Sequence, residues 1–358
     1  VKPAIYHCIG RVCQRQFLLD AGCKEKFRIF MRMYEGFSGC RVLSYCIMDN
    51  HVHVLLEVPP LPEAGLTDEE LLNRLRCLYS ADVVKLIGDD LAAAREKNMT
   101  AFATEIHARH TYRMHDLSQF MKSLMGRFAQ WYNRTHQRKG VFWEDRFKSV
   151  IVENGYASRM MAAYIDLNPV RAGIVTDPAD YRWSSYGEAM GGKHKARAGL
   201  VRAYMAHKGW QGTSKQWGEG ISRYYRRLLL IGGKEVTIER LTKDDLAKGK
   251  ARSSDGKNVR RKGRDQATAS AEPAVLQSSE TQVDARLSQA IQHRVRYFID
   301  GAVIGSRAYV NEVFEKCRER FGERRTSGAR KMRGGAAPAA EMIWSVRDLR
   351  VDVTDSLT

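Results

Sequence analysis

The chain carries 358 residues, with 59 Lys and Arg against 41 Asp and Glu and a formal net charge of +18. That length admits one or two domains with a sizeable core, and that charge calls for a polyanionic partner, nucleic acid before an anionic membrane surface. No run is long and apolar enough for a membrane span and the N-terminus lacks the plan of a secretory leader, so the expected location is the cytoplasm, with no membrane partner.

In chain order, "AIYHCIGRV" (4–12) reads as a strand. Residues 20–37 read as a helix, with Phe27, Ile29, Phe30, Met33 and Tyr34 at helical spacing and Asp20 as a possible N-cap. Two further strands, 40–48 and 51–59, are joined by the turn-prone Asp49 and Asn50 and read as a hairpin. Residues 61–115 look like an inserted, mostly helical segment, because Thr67 and Glu70 form a capping box ahead of an apolar run. An amphipathic helix over 117–136, with Ser118 near its start, precedes two short extended pieces. A helix beginning near Tyr156 then runs until Pro169 stops it. This pattern predicts an α+β fold, an antiparallel sheet with helices on one side.

Beyond residue 190 the signal thins. The organisation expected is a domain over 1–190 carrying the 61–115 insertion, a helical extension over 191–241, a disordered basic linker over 242–285 and a small, mostly helical basic region over 286–358. The basic run "ERRTSGARKMRGG" near the end reads as solvated. The 7 cysteines are odd in number and scattered, which suits a reducing compartment. Cys8, Cys13, Cys40 and Cys46 match no common zinc spacing and read as small buried hydrophobes.

The stretch "YCIMDNHVHVLLEVP" (45–59) places two histidines on one strand. Alternation puts His51, His53, Leu55 and Glu57 on one face, and Val52, Val54, Leu56 and Val58 on the other, which reads as the buried side. The pair is then a two-imidazole platform for a metal ion on a face open for chemistry, or two unrelated histidines. A chance His-x-His arises about 0.25 times in a chain of this composition, so the pattern alone decides little.

A partner for the pair could come from "MMAAYIDLNPVRAG", where Tyr164 and Asn168 stand four apart on one helix face. The phenol would be a nucleophile and the amide oxygen a third ligand; equally, Asn168 and Pro169 make an ordinary helix stop. Tyr132 and His136 have the same spacing on the preceding helix, and spacing does not choose between the two pairs. Arg127, Arg134, Arg138, Lys139, Arg146 and Lys148 interleave with Trp131, Tyr132, Phe142, Trp143 and Phe147. Cations along a phosphate backbone with aromatics for stacking suit single-stranded nucleic acid. Trp131 and Phe147 read as buried members of that set, Arg138 and Lys139 as contacts.

Taken in order, "YCIMDNHVHVLLEVP", "FMKSLMGRFAQWYNRTHQRKGVFWEDRFKSVIVE" and "YIDLNPVRAGIVTDPADYRWSSY" resemble the REP-associated tyrosine transposases, within the wider family of single-tyrosine HUH (IS200-like) transposases. The resemblance spans roughly residues 4–187, interrupted by 61–115, and the terminal segment is similar to the tail of longer members. It implies a ferredoxin-like HUH endonuclease core, a metal pair at His51 and His53, Tyr164 as nucleophile and Asn168 as third ligand, which settles the tie against Tyr132. It further implies Mg²⁺ or Mn²⁺ as cofactor and single-stranded or hairpin DNA as partner. The reaction would be strand cleavage and transfer through a 5′-phosphotyrosine link. A hairpin-binding protein without cleavage on the same scaffold is the alternative, and monomer or homodimer stays open. Two departures stand out: Asp49 occupies a position where proline is more usual, and the 61–115 insertion is long.

Overall fold

The structure, a computed structural model, describes residues 3–205, 214–230, 297–300, 302–321, 325–331 and 343–346. The expected linker over 242–285 lies outside the described residues. The core opens with β1 (Ala4–Arg11), α1 (Ala21–Ser38), β2 (Arg41–Ile47) and β3 (His51–Val58). Asp20 caps α1 by accepting from the Cys23 amide at 2.7 Å, and the turn between β2 and β3 closes through Met48 N–H to the His51 carbonyl at 2.8 Å.

Three helices follow, α2 (Asp68–Leu75), α3 (Ala81–Glu96) and α4 (Thr100–Thr111), then α5 (Leu117–Thr135) and β4 (Lys148–Val152). The Thr67–Glu70 capping box is present at the start of α2, whereas the cap of α5 is Asp116, one residue ahead of the helix. Beyond β4 come α6 (Tyr156–Asp166), α7 (Asn168–Arg171), α8 (Ser185–Met190), α9 (His194–Met205) and α10 (Glu219–Leu230). The helix from Tyr156 ends at Asp166, ahead of Pro169 as expected, and Pro169 sits in the first turn of the short α7 that follows, where a missing N–H costs nothing.

Among the described residues the strands form one sheet in the order β2-β3-β1-β4, extended by three short strands from the C-terminal part. These are β5 (Val303–Gly305), β6 (Arg330–Lys331) and β7 (Trp344–Val346), and they accompany α11 (Tyr297–Asp300) and α12 (Arg307–Lys316). The first four strands, all antiparallel, have the split βαβ order of a ferredoxin-like core. The α+β class and that core stand.

The layering differs from expectation in three ways. The sheet is mixed, because β5 pairs parallel to β4. The C-terminal region is not merely helical, since it supplies strands to the sheet edge, and Arg330 and Lys331 of its basic run pair with β7. Helices also cover both faces. One apolar layer joins Tyr6, Cys8, Val52, Val54 and Leu56 to α1 through α5, and the other joins Ile5, Leu43, Leu55, Val150 and Val152 to α6, α8, α9 and α10. The reason is compositional: the second face carries apolar residues from all four central strands, and leaving them in water would cost roughly 1.5–3 kcal/mol per side chain.

The departure at Asp49 has a local account. Its carboxylate pairs with the buried Lys24 ammonium, which also lies 4.8 Å from the Trp183 ring centroid. All 7 cysteines of the sequence are free thiols, and Cys8, Cys40 and Cys46 are buried.

Candidate active site

Register builds the site. β3 pairs with β1 so that His53 faces Ile9 and His51 faces Arg11, and β4 places Lys148 across β1 from the same row. Paired residues share a face, so His51, His53, Ile9 and Lys148 project toward the α6 side. That face is covered rather than open: His53 is only 2% exposed and Glu57 is fully buried, while His51 at the strand end is half-buried. Glu57 is held there by Arg202 of α9 at 2.7 Å and Arg41 at 3.0 Å, a buried carboxylate satisfied by two cations.

Packing on the same face, α6 presents Tyr164. Its ring centroid lies 6.4 Å from that of His53, edge to face, and the two histidine rings are 4.9 Å apart. Arg171 of α7 folds back, with its guanidinium carbon 4.1 Å from the Tyr164 ring centroid and Nη2 donating to the Tyr164 carbonyl at 2.6 Å. Phe298 of α11 also packs on the ring, 4.7 Å between centroids. Tyr164 is 1% exposed. Asn168 donates through Nδ2 to the carbonyls of Ile165 at 3.1 Å and Tyr164 at 3.3 Å, which commits the amide nitrogen to the helix end.

The rival pair lies on the opposite face of the sheet. Tyr132 belongs to the layer of α1 and α5, where it stacks on His136 at 4.0 Å, with the sheet between it and the histidine pair.

Sequence reasoning missed His7, whose ring nitrogen Nε2 lies 2.9 Å from Nδ1 of His53. The signal was present, because His7 shares its parity with Ile5 and Ile9 on β1, but the register that joins it to His53 is not written in either strand alone. Burial keeps His7 neutral, pushing it down to about 4, and burial with the neighbouring His51 charge pushes His53 well below its usual range. Asp166, between Tyr164 and Asn168 on the chain, was also missed. It accepts from the Tyr225 hydroxyl at 2.6 Å and the Tyr186 amide at 2.9 Å, and burial, only partly offset by those bonds, raises it to about 7.

A divalent cation fits this donor set. Among the described residues no group of three or more His, Cys, Asp or Glu side chains is arranged to hold a metal ion, so an ion would rest on two imidazoles and an amide oxygen. His51 Nδ1 is 2.6 Å from Asn50 Oδ1 and His53 Nδ1 is 2.9 Å from His7 Nε2, so each ring has its Nδ1 engaged by a neighbour. Imidazole with oxygen donors suits Mn²⁺ and tolerates Mg²⁺.

The basic candidates divide. Arg134, Lys139, Arg146 and Lys148 are exposed. Arg127 and Arg138 are half-buried and lie over aromatic rings, Phe30 at 4.9 Å and Phe142 at 6.0 Å. The interleaved aromatics are core: Tyr132, Phe142 and Trp143 are buried and Trp131 and Phe147 pack partly buried against them. Tyr132, Phe142 and Trp143 are therefore closed to bases, while Trp131 and Phe147 keep part of their surface in solvent.

The fold and the site define a ferredoxin-like α+β protein with a histidine pair beside an enclosed tyrosine. Residues 1–64, which contain both histidines but not Tyr164, match the family described as "Transposase IS200 like". The resemblance seen in the motifs is thus supported over β1 to β3. No curated protein matches the chain. One solved structure similar to it is that of a REP-associated tyrosine transposase bound to a REP hairpin, 13% identical, covering 52% of this chain and 79% of that one, with a TM-score of 0.33.

Proposed function

We propose that the protein is a metal-dependent single-stranded DNA endonuclease and strand transferase. It would act in DNA transposition, cutting beside hairpins through a 5′-phosphotyrosine link. The observation that carries this reading is the approach of Tyr164 to His53 on one face of the sheet, 6.4 Å between ring centroids. The family match over residues 1–64 and the net charge of +18 support it.

In that chemistry the Tyr164 oxygen attacks the scissile phosphorus in line. The new bond joins tyrosine to the 5′ phosphate, the bond from phosphorus to the 3′ oxygen breaks, the phenol proton passes to water, and the leaving 3′ oxygen takes a proton from water and departs as a 3′-hydroxyl. Because the phosphotyrosine is itself a transferable ester, a second 3′-hydroxyl can reverse the step onto a new strand. A bound Mg²⁺ or Mn²⁺ would polarise a non-bridging phosphate oxygen and stabilise charge on the leaving oxygen. His51 and His53, with Asn168 as third ligand, would hold it. A free phenol has a pKa near ~10, so Tyr164 depends on positioning, and Arg171 against its ring contributes that. Tyr164 is 1% exposed, so DNA reaches its oxygen only where the enclosure opens.

The enclosure of Tyr164 is what favours the second reading, a hairpin-binding protein that does not cut. The test uses single-stranded hairpin DNA labelled at the 5′ or the 3′ end, incubated with Mn²⁺ and wild-type or Tyr164→Phe protein and run on a denaturing gel. A protein-linked band carrying only the 3′ label, absent in the variant, supports the proposal. Cleavage without a linked band, equal in both proteins, means water is the nucleophile, and binding without cleavage selects the binding protein.

A further inference from the structure

β1 brings a third imidazole to the site, and the chemistry above assigns it nothing. His7 is fully buried and stands opposite Leu55 on β3 and Val150 on β4, diagonal to His53. Its Nδ1 lies 2.8 Å from the carbonyl oxygen of Phe298, and its Nε2 lies 2.9 Å from Nδ1 of His53. A carbonyl oxygen only accepts, so Nδ1 of His7 carries the hydrogen and, in a neutral ring, Nε2 accepts. His53 must then donate through Nδ1, and its lone pair resides on Nε2. His51 reaches the same state by another route: Asn50 donates through Nδ2 to the Arg15 carbonyl at 3.1 Å, which turns Oδ1 toward His51 Nδ1.

We propose that His7 is a positioning residue for the cation site: by accepting the Nδ1 hydrogen of His53, it fixes the tautomer that presents Nε2 as a ligand. The inference rests on the proposed histidine-pair cation site. Ligand histidines are ordinarily oriented by an acceptor on the other ring nitrogen, and removing that acceptor costs affinity. Here the acceptor is an imidazole, itself locked by a backbone carbonyl 291 positions away in sequence. A histidine that merely fills the core would have no such effect.

Two polar substitutions separate these roles. In His7→Asn the amide sits where Nδ1 was, keeping a donor for the Phe298 carbonyl but leaving His53 without its acceptor. In His7→Gln the side-chain oxygen reaches the Nε2 position and can accept from His53. Mn²⁺ binding to the full chain without DNA is measured by titration, and the His53 tautomer by long-range proton–nitrogen spectra of protein labelled with ¹⁵N-histidine. The expected result is an Nδ1–H tautomer of His53 in the wild type, a loss of Mn²⁺ affinity of about tenfold to a hundredfold in His7→Asn with a shift of the His53 tautomer, and recovery of both in His7→Gln. An Nε2–H tautomer in the wild type, or unchanged affinity in His7→Asn, overturns the role of His7. If His53→Ala binds Mn²⁺ as the wild type does, the cation site itself is wrong, and the role of His7 falls with it even where the tautomer is as expected.

Discussion

Arg171 holds Tyr164 at two points, its guanidinium lying 4.1 Å from the ring centroid and Nη2 bonding the tyrosine carbonyl at 2.6 Å. The side chain returns from α7 to clamp the residue whose hydroxyl the proposed chemistry uses. A cation over an aromatic face is worth up to about 2 kcal/mol when desolvated. Arg171→Ala should therefore slow cleavage by about tenfold or more with hairpin binding little changed. Lysine cannot reproduce the planar stacking contact, so Arg171→Lys should recover only part of the rate. Single-turnover cleavage and a separate binding measurement check both.

Glu188 gathers Arg28 at 2.7 Å, Arg32 at 2.8 Å and the Tyr45 hydroxyl at 2.9 Å, tying α8 to α1 and β2. Burial alone would raise its pKa, but the charges of Arg32 and Arg28 and the bond from Tyr45 outweigh burial and hold it below the usual 4.5. A depressed carboxylate stabilises the fold above its unfolded pKa, and that stability is lost as pH falls through the folded one. The wild type should thus lose stability below about pH 4.5. Glu188→Gln leaves Arg28 with Glu25 and Arg32 with Glu35 but weakens their bonds to α8, so it should cost about 1.5–3 kcal/mol near neutrality and show a shallower acid limb. Urea midpoints across the pH range measure this.

Gly199 is where α9 meets the backbone of β2. A Cβ there would lie 2.5 Å from the Val42 carbonyl oxygen and 2.8 Å from that of Leu43. Alanine would gain about 1 kcal/mol of helix propensity, yet backbone cannot yield as a flexible side chain can, and overpacking costs about 1–3 kcal/mol. The clash wins, so Gly199→Ala should lower the melting temperature. The substitution Gly126→Ala in α5, where a Cβ meets nothing within 4 Å, should raise it.

Phosphate contacts announce themselves in salt. Replacing Arg134, Lys139, Arg146 or Lys148 by Gln should each reduce the slope of log affinity against log salt by about 0.7 for single-stranded DNA. Arg127 and Arg138, which lie across Phe30 and Phe142, should change the slope less. Fluorescence titrations at several salt concentrations decide.

The parts of this fold written locally were readable from the sequence. Asp20 and the Thr67–Glu70 pair cap their helices because caps depend on three or four consecutive residues, and the Asp49–Asn50 hairpin needs only its own turn. What depended on distant chain was not readable. The face of β3 reads as open in the sequence because its cover, α6 through α10, arrives a hundred residues later. Glu57 was a hint, since a buried carboxylate on that face needs partners, but Arg202 stands 145 positions away. Strands of three residues such as β5 and β7 are too short for alternation to register. Of the site, spacing brought out His51, His53, Tyr164 and Asn168 but left Tyr132 and His136 level with them; the family resemblance chose Tyr164, and the sheet separates the two pairs because their helices pack on opposite faces.

The central claim, that Tyr164 is the nucleophile, is tested most directly by locating the covalent bond. Wild-type protein is reacted with single-stranded hairpin DNA and Mn²⁺, digested with nuclease and trypsin, and its peptides are read by mass spectrometry. Trypsin should release the segment from Met160 to Arg171, which contains Tyr164 as its one tyrosine. The expected result is a residual nucleotide on that peptide, attached through phosphate to the tyrosine oxygen. A nucleotide on any other peptide, or cut DNA with the Tyr164 peptide unmodified throughout the reaction, would contradict it.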